Sequence, residues 1–318
     1  LALSSRYNGE IGTDRSGLDR NYALAMESLY KKYPDDMDAA SLYAESLMNT
    51  MPWNYWAEDG NPKPDTVKVI NTLEAVLQQA PNHPLAIHLY IHAVEASSSP
   101  ERAEAAADRL GSLVPGAGHL VHMPAHIYWR VGRYHDASKA NIEAAKVDEE
   151  YIAQCNAQGF YPALYYPHNI HFLWAASTME GRSQLSIDSA FKVAKYVGPE
   201  QIRQFPVVEF FHTVPLLSYV RFGKWDEILS YEAPAPEFKY SLGIYHYARG
   251  MALSALGRNE EALDQLNSIK PLIETKEIKA LVKAGQPSAK LLMIADNLLL
   301  GQIEYKKKNY DSSIALHE

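Results

Sequence analysis

The stretch that decides the fold opens with Gly-Lys-Trp-Asp-Glu-Ile (223–228) and closes with Gly-Arg-Asn-Glu-Glu-Ala (257–262), so one short string returns after 34 residues. Glycine tolerates the left-handed backbone that ends a helix. Carboxylates are favoured in the first turn of a helix that follows. Each copy therefore reads as the hinge of a helix-turn-helix pair, and the spacing between copies is the length of one pair.

Two more copies lie upstream, Gly132-Arg-Tyr-His-Asp-Ala and Gly181-Arg-Ser-Gln-Leu-Ser, and counting back 34 residues from Gly132 reaches Ser98 in the turn Ser97-Ser98-Ser99-Pro100. The wider spacings, 49 residues from Gly132 to Gly181 and 42 from Gly181 to Gly223, read as insertions in loops at 155–167 and 199–206. Pro34 and Pro81 end second helices, and Leu300-Gly301 followed by Asn309-Tyr310 repeats the small-residue and turn signals. Residues 51–64, with Trp53, Tyr55 and Trp56, read as a long loop between the two helices of an early repeat.

A helix pair of 34 residues is the unit of the tetratricopeptide (TPR) family, which the chain resembles across nearly its whole length. The resemblance implies an all-α, right-handed α-solenoid of about six or seven TPR-like helix-turn-helix repeats. Residues 1–18 stay unassigned, and 19–318 form a single solenoid, incomplete at its C-terminal end if residues 309–318 begin a helix that continues. Solenoid ends normally carry polar caps. If these residues are the complete mature chain, the lack of an evident cap makes a homo-oligomer formed through the solenoid ends a further expectation.

Composition narrows the partners. With 30 Lys+Arg against 38 Asp+Glu, a net charge of −8, and no basic run beyond Lys306-Lys307-Lys308, the chain lacks the positive field that phosphates need, so nucleic acid is not an expected partner. No apolar run approaches the ~18 residues that span a bilayer. A single cysteine, Cys155, excludes an internal disulfide. The sequence begins at Leu1 without a methionine, so either a targeting segment has been removed, which leans toward an exported, extracytoplasmic protein, or the residues begin inside a longer sequence.

Histidines recur at fixed distances before the turns. Thirteen residues before stand His119 and His168, ten before stand His88, His122 and His171, and six before stand His92 and His126. These offsets differ by three and four, so the side chains share one helical face. In the TPR family that face of the first helix lines a concave groove, which by resemblance displays His88, His92, Glu95, His119, His122, His126, His168 and His171. Pro124 leaves two readings open: a kinked helix through His119 and His122, or a helix that starts at Pro124 and strands them on a loop.

Imidazole nitrogen suits transition metals, Zn or Cu ahead of Fe, and the i,i+4 pairs His88/His92 and His122/His126 are chelating spacings. The expected metal set is His88, His92, Glu95, His122, His126, His168 and His171. The strings His-Leu-Tyr-Ile-His-Ala-Val-Glu (88–95), His-Met-Pro-Ala-His-Ile (122–127) and Pro-His-Asn-Ile-His-Phe-Leu (167–173) also resemble a bacterial TPR-like group that supplies no reaction. Small-ligand or metal binding in the groove therefore stands beside two alternatives. One is a scaffold for a protein or peptide partner. The other is a metal-dependent enzyme with Glu95 as general base. No catalytic sequence signature is present. His212 and His246 read as core-facing, His83, His135 and His317 as exposed, Tyr161, Tyr165 and Tyr166 as loop aromatics, and Cys155 as a less favoured thiolate ligand.

Overall fold

The computed structural model describes residues 1–10, 14–157, 159 and 161–317, and the chain falls into two compact units, Leu1–Gln158 and Gly159–Glu318. Among the described residues the regular structure is helical, with one isolated bridge between Trp56 and Pro62. No helix among them is long and apolar enough to cross a membrane. Each unit is built of TPR-like helix pairs, an all-α fold of the helical-solenoid class.

In the first unit α1 (Ser16–Lys32) precedes the pair α2 (Met37–Asn49) and α3 (Pro64–Gln79). The second pair is α4 (Pro84–Val94) with α5 (Glu104–Leu113), and the third is α6 (Gly118–His122) and α7 (Pro124–Arg130) with α8 (Tyr134–Cys155). The loop expected at 51–64 lies between α2 and α3, where the Trp56 indole donates to the Ala93 carbonyl at 2.9 Å and ties the loop to α4. Of the stretch 1–18, residues 11–13 lie outside the described residues; the rest holds a 3-10 turn, Ala2–Arg6, and the start of α1, with Arg6 3.3 Å from the Asp19 carboxylate.

The second unit continues with α9 (Tyr166–Met179), α10 (Ser183–Tyr196), α11 (Pro199–Gln204), a 3-10 turn (Pro206–His212), α12 (Val214–Arg221) and α13 (Trp225–Ser230). It ends with α14 (Lys239–Ala255), α15 (Asn259–Ile273), α16 (Lys276–Lys283), α17 (Ser288–Lys306) and α18 (Tyr310–His317). A helix pair meets at each of the glycine turns 181, 223 and 257, and a fourth pair is α17 with α18.

The turn chemistry is uniform. Gly132, Gly181, Gly223 and Gly257 have φ of 81°, 74°, 66° and 81°. After each glycine the next amide donates to the carbonyl five residues back: Arg133 to Tyr128, Arg182 to Ser177, Lys224 to Tyr219 and Arg258 to Leu253, at 2.8–3.0 Å. This closing bond satisfies a carbonyl that the helix end would otherwise leave exposed. The last turn repeats the pattern with Lys308 (φ 67°) in the glycine's place and Asn309 donating to Glu304 at 2.9 Å. The turn thus falls at Lys308-Asn309, beside the expected Asn309-Tyr310, and Gly301, read as the small-residue signal, lies inside α17, where a Cβ would meet the His317 ring at 2.3 Å.

Packing orients the histidine face. On α4 the residues Ile87, Ile91 and Val94 are fully buried, and with Leu110, Met123 and Ile127 they form the core between the second and third pairs. His88, His92 and Glu95 lie one position further round the same helix, so seating the isoleucines turns the imidazoles onto an adjacent face. Burial of such side chains is worth ~1.5–3 kcal/mol each, which is ample to hold that orientation.

Candidate metal centre

Helices α4 and α6–α7 bring six of the expected polar groups of the first unit into one cluster: His88, His92, Glu95, His119, His122 and His126. Successive rings lie close, with centroids 5.1 Å apart for His88 and His119, 5.0 Å for His88 and His92, 5.2 Å for His92 and His126, and 4.8 Å for His122 and His126. Pro124 splits the helix without ending it. Met123, between α6 and α7, keeps helical angles (φ −51°, ψ −37°), so His119 and His122 remain helical and the kinked reading is the one that holds.

Close approach of α6 to α8 depends on Gly118. A Cβ there would meet the Asp148 carboxylate oxygen at 2.0 Å and the Ala144 carbonyl at 3.0 Å. From α8, Asn141 reaches the cluster, fully buried. Its amide nitrogen donates to the Ala137 carbonyl at 2.8 Å, which fixes the amide and turns its oxygen to His122 Nδ1 at 2.6 Å. A carbonyl oxygen only accepts, so His122 carries its proton on Nδ1.

Glu95 settles two more rings in the same way. Its Oε1 lies 2.8 Å from His92 Nδ1 and its Oε2 2.5 Å from His126 Nδ1. Burial raises the Glu95 pKa, but the hydrogen bonds and charge interactions with His126 and then His92 outweigh burial and hold the carboxyl far below the usual range. As a carboxylate it only accepts, so both Nδ1 atoms donate. Glu95 thus stands behind the imidazoles, with its two oxygens engaged by Nδ1–H groups.

With Nδ1 donating on His92, His122 and His126, the Nε2 atoms of these rings are the ones left to face inward. His122 Nε2 and His126 Nε2 face each other at 2.9 Å, in rings that are buried, and His88 Nε2 and His119 Nε2 face each other at 3.2 Å. Burial first, then the neighbouring histidines, push His88 down to about 3 and His119 down to about 4, so both are neutral near pH 7. A cleft of about 740 Å³ opens beside His88 and is lined by Asp35, Asp36, Asp38, His83 and Leu120, a rim whose carboxylates favour cations. The rim of the cluster also carries Trp53, exposed and edge-on to His92 at 6.5 Å.

The remaining expected site residues lie in the second unit, on α9. His168 lies 5.0 Å from the Phe172 ring. His171 is packed by Trp174, Phe210 and Phe211 at 4.9, 5.4 and 5.3 Å, and burial pushes it down to about 4. Both aromatics at 210 and 211 come from the 3-10 turn Pro206–His212, which the offset rule does not see.

Comparison with known proteins adds little chemistry. No protein-family model and no curated protein matches the sequence. Among solved structures the chain is similar to a human IFIT1 dimer with m7Gppp-AAAA at 12% identity, TM-score 0.45, over 94% of this chain and 67% of that one. A human IFIT1 dimer with PPP-AAAA gives 12%, 0.42, 94% and 67%, and a monomeric IFIT1 mutant with Gppp-AAAA gives 11%, 0.39, 94% and 75%.

Sequence reasoning missed Asn141, although a signal was present. The buried stripe of α8 runs Ala137, Ser138, Asn141, Ala144, Ala145 and Asp148, so three polar residues interrupt an otherwise small apolar face. Other histidines serve locally. His83, expected exposed, caps α4 by accepting from the Ala86 amide at 3.2 Å, and its Nε2 lies 3.1 Å from Asp38. His246 contacts Gln265 at 2.9 Å, His135 and His317 are exposed, and Cys155 is exposed at the end of α8. Tyr161 stacks on Tyr165 at 5.3 Å, and Tyr166 packs on Tyr196 at 4.7 Å.

Proposed function

We propose that the histidine cluster of the first unit binds a transition-metal ion, Zn or Cu ahead of Fe. The observation that carries this reading is the His122–His126 contact: two Nε2 atoms meet at 2.9 Å while both Nδ1 atoms donate elsewhere. Two lone pairs so placed repel unless a cation stands between or beside them. Ligand nitrogens at ~2.0–2.1 Å from a tetrahedral ion lie ~3.3 Å from each other, close to the spacings in the cluster. Glu95 and Asn141 then act as the outer acceptors that fix ring orientation and raise imidazole basicity.

This reading makes the protein a helical-repeat metal binder, and its three histidine strings suit membership of the bacterial TPR-like group they resemble. A protonated imidazole pair is the competing account of the same contact. Elemental analysis of untagged protein separates them: stoichiometric metal that falls in His126→Ala supports the proposal, and metal-free protein after incubation with Zn²⁺ and Cu²⁺ removes it.

A further inference from the structure

Two groups of three donor residues, each with its ligand atoms within 4.8 Å of one another, lie wholly within the described residues of the first unit: His88, His92 and His119, and His92, Glu95 and His126. The two short Nε2 contacts share no histidine, since His88–His119 and His122–His126 are separate pairs at 3.2 and 2.9 Å. One Nε2 lone pair serves one ion. His92 has its Nδ1 engaged by Glu95 at 2.8 Å, and its ring lies 5.0 Å from His88 and 6.4 Å from His119. Its Nε2 is then the donor left for the first set.

From this we infer that the cluster holds two metal ions, one at His122–His126 and a second at a three-imidazole position formed by His88, His92 and His119. The inference rests on the metal-binding reading above and extends it in number and chemistry. The second position has three imidazole nitrogens and no carboxylate in its ligand shell, and such a set leaves a fourth position for water or an exchangeable anion. It also lies beside the cleft at His88, the acidic opening described above. Glu95 links the two positions, because one carboxylate orients His92 for one ion and His126 for the other. A single anion behind both rings gives the ions a common counter-charge and makes occupancy of one sensitive to the other.

Titration of the full chain with Zn²⁺ alone, read by elemental analysis after gel filtration, tests this. Two ions per chain are expected in the parent. His88→Ala with His119→Ala should leave one ion, and His122→Ala with His126→Ala should leave one ion, with helicity followed in both by circular dichroism. The parent's stoichiometry needs no variant, so a folding failure does not hide the answer. One ion in the parent overturns the inference while the metal-binding reading stands. No ion overturns both. Two ions retained in the His88/His119 variant place the second ion elsewhere and also overturn it.

Discussion

Replacing Glu95 with glutamine changes almost no volume and removes one acceptor. The carboxylate accepts from His92 Nδ1 at 2.8 Å and from His126 Nδ1 at 2.5 Å. A glutamine side chain offers one oxygen and one NH₂, so it can keep only one of these bonds. The ring facing the NH₂ must then present a lone pair on Nδ1 and move its proton to Nε2, which takes that nitrogen away from a metal. Loss of such an outer-shell partner typically costs 10–100-fold in metal affinity, about 1.4–2.7 kcal/mol. Loss of the negative charge acts in the same direction. Competition against a chromophoric chelator measures the affinity, and long-range ¹H–¹⁵N spectra of the metal-free protein read which nitrogen of each ring carries the proton. The parent should show His92, His122 and His126 protonated on Nδ1, and Glu95→Gln should switch one ring. An unchanged affinity together with unchanged tautomers would refute the reasoning.

Asn141→Leu removes the acceptor of the His122 Nδ1–H, contacted at 2.6 Å, and leaves a buried donor unpaired at that bond; a stability loss of ~1–3 kcal/mol is expected in urea melts of the metal-free protein. Gly118→Ala touches no imidazole but drives a methyl to 2.0 Å from Asp148, so α6 must shift; ~1–3 kcal/mol of stability and a measurable part of the metal affinity should go with it. Acid should destabilise the metal-free first unit. His88 and His119 titrate at about 3 and about 4 when folded, below their ordinary 6.5, so the unfolded chain takes up protons first and stability falls as pH drops below 6.5. Two withheld protons give a slope of about 2.7 kcal/mol per pH unit near pH 5. Denaturation curves that coincide from pH 7 to pH 4.5 would contradict the burial of these rings as neutral groups.

The repeat was legible because its turns need a residue that tolerates positive φ, and four glycines followed by polar residues advertise that need. Where Lys308 adopts the same angle at φ 67° no glycine marks the turn, which was legible only from Asn309-Tyr310, while Gly301 inside α17 admits His317. The histidine stripe was legible from spacing alone, since offsets of three and four fix a helical face. Spacing does not fix which way a carboxylate points. Glu95 reads equally well as a ligand, a base or an outer acceptor until its oxygens are seen engaged by two Nδ1–H groups. Pro124 was ambiguous for a related reason: proline fits both a helix start and a kink, and only the angles at Met123 choose. His171 obeys the offset rule but meets Phe210 and Phe211, side chains contributed by a segment far along the chain.

The central claim is that imidazole nitrogens in the first unit hold a transition-metal ion. X-ray absorption at the metal edge, on protein purified without a tag, tests it most directly. An edge of stoichiometric height and a first shell of nitrogen at ~2.0–2.1 Å, with the outer-shell scattering of imidazole rings, are expected. Absence of an edge after exposure to Zn²⁺ and Cu²⁺, or a first shell of sulfur at ~2.3 Å as exposed Cys155 would supply, would contradict it.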